Sequence, residues 1–173
     1  MRKSKLAPVI VLSLICATVA LALALANAFT APVIERAEAE KTAKMLREVY
    51  PVEGDFDPVD PQSLSGALPE SIIEIYGAPD GGYVFKAKVK GFKPDLVVLV
   101  GVDPTGAITD TKYLQSSETL SAEDKLDGAY KGMTAESLSA EIIVGATYTS
   151  EGYALAVEDS LTAFAVMKGG AAG

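Results

Sequence analysis

The chain has 173 residues, enough for one domain of ordinary size plus a targeting or anchoring segment. Its formal net charge is −8, and it holds no His, no Trp and a single Cys. Internal disulfides, Cys-ligated zinc, iron–sulfur clusters and His- or Cys-ligated haem are therefore excluded. So is catalysis in water by a His base or a Cys nucleophile, because Cys16 lies within an apolar run. Redox work, if the chain does any, falls to an organic cofactor.

That run spans residues 6–29, carries no charge and is rich in Leu, Val, Ile and Ala. As a helix its 24 residues reach about 36 Å, against about 30 Å of hydrocarbon. Its Leu, Ile, Val and Phe side chains favour insertion by about 4–7 kcal/mol, enough to span. A cleavable signal peptide is the competing reading, since Ala26-Asn27-Ala28 offers a small-residue cleavage site. The run exceeds the usual signal core of about 7–15 residues, which favours a retained anchor. A lipoprotein reading fails because Ile15 stands before Cys16, where a small residue is needed.

Arg2, Lys3 and Lys5 precede the run, and all 23 acidic residues follow it. This asymmetry predicts a cytoplasmic N-terminus, with everything after about residue 30 outside the cytoplasm. Beyond the run, 12 basic groups face 23 acidic ones, a net of −11. Such a domain repels phosphate backbones, which excludes nucleic acid as a partner.

Residues 32–50 read as a helix with Val33, Ala37, Met45, Leu46 and Val49 near helical spacing, and Pro32 suits its first turn. This helix continues the span as a stalk. Residues 55–65 read as loop, broken by Pro58 and Pro61. Asp55, Asp57 and Asp60 do not have EF-hand spacing and read as a solvated acidic loop, so no metal site is expected.

Strands follow. Residues 71–76 are short and apolar; 82–89 alternate Tyr83, Phe85, Ala87 and Val89 against Val84, Lys86 and Lys88 in a half-buried pattern. Residues 96–102 form a continuous apolar strand, Asp103-Pro104-Thr105-Gly106 is a turn, and 107–114 return. Short turns between consecutive strands predict an antiparallel sheet in an α+β fold. Residues 122–130 read as a short helix. Residues 150–167 form a longer one with a stripe of Tyr153, Ala156, Val157, Leu161, Phe164 and Ala165.

The segment Glu141-Ile142-Ile143-Val144-Gly145-Ala146-Thr147-Tyr148-Thr149-Ser150 reads as the link from a strand to that last helix. Gly145 and Ala146 let another group approach the backbone closely. Thr147 supplies a hydroxyl, and the amides that open the helix favour an anion. No Lys or Arg lies between Lys131 and Lys168, so a phosphate here is held by amides, hydroxyls or a covalent bond. Taken alone, a Thr/Ser cluster before a helix is more often simply an N-cap.

This segment resembles the flavinylation motif of the FMN-binding domain found in two membrane complexes. One is the Rnf-type ferredoxin–NAD electron-transport complex, in its G subunit; the other is the sodium-translocating NADH–quinone reductase, in its C subunit. The motif runs from an acidic residue through Ser/Thr-Gly-Ala to the Thr that takes FMN through a phosphoester. Glu141 stands for the usual Asp, Val144 for the usual Ser/Thr, and Gly145, Ala146 and Thr147 match, followed by Thr149 and Ser150. Upstream, Ser116-Ser117-Glu118-Thr119 is similar to the family's Glu-Thr element after a strand, with Asp124, Lys125, Tyr130, Lys131 and Gly132 in register. Leu120, Ser121, Ala122 and Glu123 replace the Pro and Gly-Leu-Gly that usually follow. The length fits the Rnf-type protein better than the longer one of the quinone reductase.

The resemblance implies a transmembrane anchor (1–30), a stalk and linker (31–54), an extracytoplasmic FMN-binding domain (55–168) and a flexible tail (169–173). It implies FMN on Thr147, with Gly145, Ala146, Thr149, Ser150, Glu118 and Thr119 as cofactor-binding residues. It also implies an electron-transfer subunit of an ion-translocating ferredoxin–NAD oxidoreductase, in the cell membrane among other membrane subunits and matured by a flavin transferase. Such a subunit has no catalytic residue of its own and no complete turnover alone. The alternatives are a free-standing extracytoplasmic FMN carrier, or a membrane-anchored structural or ligand-binding subunit without cofactor.

Overall fold

The computed structural model describes residues 7–61, 66–115 and 123–170. The chain divides into two compact units, Met1–Lys41 and Thr42–Gly173. Helix α1, Ala7–Val49, supplies most of the first and the opening turns of the second; its 43 residues span about 65 Å. Over Pro8–Val49 it is the one helix among the described residues long and apolar enough to cross a membrane. Its large apolar side chains from Val9 to Ile34 are exposed.

The helix runs through Pro32 without a break, continuing as the stalk that the sequence predicts. Proline here removes a single intrahelical donor, and the helix on either side holds its course. Nearby hydroxyls bond back to the helix, Thr18 Oγ1 donating to the Ile15 carbonyl at 2.8 Å and Thr30 Oγ1 to the Ala26 carbonyl at 2.9 Å. The hydroxyls of both residues are therefore bonded within the helix.

The second unit is built on a five-stranded antiparallel sheet in sequence order: β1 (Asp57–Val59), β2 (Ile72–Gly77), β3 (Tyr83–Val89), β4 (Leu96–Val102) and β5 (Ile108–Gln115). This is the α+β architecture expected. Strand β1 corrects the reading of 55–65 as loop. Three residues are too few for periodicity, and Pro58 is tolerated because β1 is an edge strand.

Alternation along β3 also understates its burial, since Val84 on the expected open face is fully buried. Both faces of the sheet are covered. Phe85, Ala87, Val98, Val100 and Ile108 meet α3 (Thr147–Gly170) and Leu126 of the short helix α2 (Glu123–Leu126). Val84, Val97, Leu99 and Leu114 meet Leu46, Val49 and Tyr50 at the end of α1. Strand β4 is buried at all seven positions, which accounts for its unbroken apolar sequence. A register shift between Ile72 and Glu74 puts both Ile72 and Ile75 on the α3 face.

The short helix is four residues, not the nine expected; Gly128 and Gly132, both at positive φ, turn the chain away. Helix α3 starts three residues earlier than its apolar stripe suggests. The stripe itself shifts: Ala165 is exposed, and Ser160, Ala163 and Met167 join Tyr153, Ala156, Val157, Leu161 and Phe164 inside. No strand leads into α3. Residues 134–146 run as turns and irregular chain, and of the β-branched trio Ile142, Ile143 and Val144 only Ile143 packs on the core.

Candidate functional site

Ile143 to Ala146 make a type II turn: the Ala146 amide donates to the Ile143 carbonyl at 2.9 Å, and Gly145 stands at φ +87°. Only glycine adopts that conformation without strain. A side-chain carbon built at Gly145 would meet nothing within 4 Å, so the space beside it is open. Val144, at the tip of the turn, is 99% exposed. A hydroxyl in its place would point into solvent.

Helix α3 opens directly from this turn. The Ser150 amide donates to the Ala146 carbonyl at 3.0 Å, making Ala146 the N-cap and Thr147 the first helical residue. Thr147 is exposed, whereas Ala146, Thr149 and Ser150 are buried. The Ser150 hydroxyl accepts from the Ile143 amide at 2.9 Å and donates to the Ala146 carbonyl at 3.1 Å, clasping the turn to the helix. Both of these Ser150 bonds are to the protein's own backbone.

A second tie fixes the approach to the turn. The Glu141 amide donates to the Tyr130 hydroxyl at 3.2 Å. Tyr130 stacks on Tyr153 of α3, centroids 5.9 Å apart and planes within 9°. Tyr153 donates to Asp127 Oδ1 at 2.8 Å, and the Tyr113 amide donates to the same atom at 2.9 Å. Burial pushes the Asp127 carboxyl above its ordinary range, against these bonds and the charge of Lys112. Burial, with the Asp127 charge, likewise raises the Tyr153 phenol.

Thr147, Gly145, Ala146, Thr149 and Ser150 therefore come together in one clasped turn and helix start. Glu118 and Thr119 lie outside the described residues; the strand leading to them ends at Gln115, paired with Val97 beside the β3–β4 hairpin. That hairpin reaches the same helix. A side-chain carbon at Gly152 would sit 2.7 Å from the Lys90 carbonyl oxygen and 3.1 Å from Gly91 Cα. Sequence reading passed over Phe92 and Tyr148, both large and exposed here. An aromatic between a Gly and a Lys-Pro turn was the available signal for the first.

The arrangement can hold a phosphorylated group. An exposed hydroxyl stands at the positive end of a 24-residue helix, and the space by Gly145 is clear. Such a hydroxyl, with clear space at the positive end of a helix, suits a phosphate ester, and FMN fits that chemistry.

An exposed threonine opening α3, on an antiparallel sheet covered on both faces, lies within the region that the model of the FMN-binding domain family matches, residues 91–162. The chain is 30% identical over 156 residues to the G subunit of the Na(+)-translocating ferredoxin:NAD(+) oxidoreductase complex of Acetobacterium woodii, covering 83% of this chain and 75% of that protein. It is 31% identical over 121 residues to the G subunit of the ion-translocating oxidoreductase complex of Stutzerimonas stutzeri, 67% of this chain and 53% of that one. The chain belongs to this family of G subunits of ion-translocating oxidoreductase complexes.

Proposed function

We propose that this chain is a single-span membrane protein that bears FMN as a phosphoester on Thr147 and passes electrons within an ion-translocating ferredoxin–NAD oxidoreductase complex. One observation carries the reading: in a family with an FMN-binding domain, the threonine of the Gly-Ala-Thr motif is the exposed first residue of α3, presented by a clasped turn. When bound, FMN supplies one- and two-electron transfer.

The residues of the chain present and hold it. The amides at the start of α3 offset the phosphodiester's remaining negative charge, Gly145 sets the turn, and Ser150 acts through the turn it clasps. Thr149 is buried beside Ser150 and supports the same start of the helix. Glu118 and Thr119 contribute from the segment between β5 and α2. A covalent tether suits a domain held outside the cytoplasm, where lost FMN is not readily replaced. The basic residues before α1 and the acidic chain after it support that orientation, with the bilayer and other membrane subunits as partners and a flavin transferase for maturation.

Peptide mass spectrometry of the protein from its native host, beside Thr147→Ala, tests the reading. The expected result is a mass increment of phosphoester-linked FMN on the peptide containing Thr147, lost in the variant. An unmodified wild-type peptide from a host with active flavin transferase would remove covalent FMN and leave Thr147 as a helix-start residue of an anchored structural subunit.

A further inference from the structure

The second unit, Thr42–Gly173, holds 10 basic and 20 acidic residues. Its positive charge is gathered in one place. Lys86, Lys88, Lys90 and Lys93 surround the β3–β4 turn, and no carboxylate stands between Asp80 and Asp95. Lys86 binds Glu74 within the sheet at 2.8 Å. The other three lysines are exposed at the tip with Phe92, Pro94 and Asp95. Lys88 pairs with Asp95 at 2.6 Å, and three lysines against one aspartate leave the tip positive. The Gly91 amide donates to the Lys93 carbonyl at 3.2 Å, closing the turn with Phe92 at its apex, 63% exposed.

The end of α1 enters the unit from the same end of the sheet. Tyr50 meets Asp80 and Gly82 at the β2–β3 turn, and Val49 meets Gly101. Glu48 meets Lys112, which pairs with Leu99, further along β4 toward Leu96. Followed backward from Tyr50, the helix thus leaves the β2–β3 turn and heads for the opposite end, where the β3–β4 turn lies. Upstream, residues 30–41 span only about 18 Å as helix between the apolar run and Thr42.

We infer that the β3–β4 tip, Lys88–Asp95, docks on the anionic phospholipid headgroups of the bilayer that holds α1, with Phe92 entering the interface and Lys90 and Lys93 meeting phosphates. This rests on the reading of α1 as a membrane anchor. Lysine stems lie along the interface while their ammonium groups reach headgroup oxygens, and an aromatic ring at the apex covers its apolar area among the acyl carbonyls. The remainder of the unit is strongly acidic and is repelled by such a surface, so the tip is the part that can approach it. A short tether keeps the local lipid concentration high, so a weak contact suffices. The Lys90 carbonyl and Gly91 Cα lie where a side chain at Gly152 would stand, 2.7 and 3.1 Å from its first carbon. A docked tip therefore also steadies α3.

The chain has no tryptophan, so Phe92→Trp places a single reporter at the apex. The full-length variant is reconstituted in nanodiscs of phosphatidylcholine, alone or mixed equally with phosphatidylglycerol, with and without lipids brominated near the carbonyl. Emission with bromine is divided by emission without it, which cancels energy transfer to any bound flavin. Pro104→Trp, exposed in the turn at the other end of β4, is the comparison. The expected result is a blue-shifted Phe92→Trp emission that loses most of its intensity to bromine in the anionic discs. The loss should shrink in phosphatidylcholine alone, at high salt and on adding Lys90→Glu and Lys93→Glu, while Pro104→Trp stays unquenched. An unquenched Phe92→Trp in anionic discs would overturn the docking and assign the tip to an acidic protein surface. Equal quenching at both positions, or quenching indifferent to lipid charge, would overturn it as well. Failure of the anchor shows separately, as chain that does not co-elute with the discs, and overturns the docking with it.

Discussion

The two faces of the sheet are closed by helix ends of opposite character. Toward α3 the contact is dry: Phe85, Val98, Val100, Tyr153, Ala156 and Val157 are fully buried, with hydroxyls such as Thr111 and Ser160 embedded among them. Toward the end of α1 a smaller apolar patch is ringed by polar links. Tyr50 donates to Asp80 Oδ2 at 2.7 Å, Thr109 to the Val49 carbonyl at 2.8 Å and Lys112 to Glu48 Oε2 at 2.6 Å. Nearby, Lys86 pairs with Glu74 at 2.8 Å, and Tyr76 donates to the same carboxylate. The dry face holds α3 by packing. The other fixes where a long helix ends by directional bonds, which set position more than they add stability.

Breaking the dry face gives the largest effect. Phe85→Ala is expected to destabilise the second unit by about 3–5 kcal/mol, read from denaturant unfolding of the full chain by tyrosine fluorescence. Gly101→Ala attacks the other face. Its new carbon falls 2.3 Å from Thr109 Oγ1 and 3.0 Å from both Val49 Cγ1 and the Val49 carbonyl. The expected cost is about 1–3 kcal/mol, with faster amide exchange at Tyr50, whose amide donates to Leu46.

Asp127→Asn sharpens the comparison, because Asp127 is the carboxylate at the rim of the dry face. Asparagine keeps an acceptor for Tyr153 and for the Tyr113 amide while removing a charge that burial disfavours. Since the folded carboxyl is raised, the wild type is stabilised by its protonated form in acid and loses that advantage as pH rises through the folded value. The variant should gain relative to wild type at neutral pH, and the gain should shrink toward acid; stability measured across pH checks this.

Glu48→Gln is the smallest. Hydrogen bonding and charge from Lys112, aided by Lys44, hold Glu48 below the usual carboxylate range, so its contribution is present above the ordinary value and lost as pH falls through the folded one. The variant should differ slightly from wild type at neutral pH, less so at high salt, and not at all in strong acid.

Much of this fold is legible in sequence. Unbroken apolar residues in β4 and Asp-Pro-Thr-Gly before β5 give strand and turn directly. Residues whose partners are distant in the chain are not. Nothing local shows that Val84 is covered by the end of α1 or that Pro58 borders Tyr76 at the sheet edge. At the site, Gly145-Ala146-Thr147 is readable because a positive-φ turn needs glycine. The role of Ser150 is hidden, because a hydroxyl in the first turn of a helix reads equally as a ligand contact or as a clasp.

The join at Val49 also has a mechanical reading. The last carbonyls of α1 are gripped by Thr109, the helix side by the close approach at Gly101, and Glu48 by Lys112, all on β4 and β5. Load arriving at Val49 therefore enters at β4 and β5, which are joined by a ladder running from Val97–Gln115 to Val102–Ile108. A domain tied to its tether in this way resists being pulled apart from the point at which it is held.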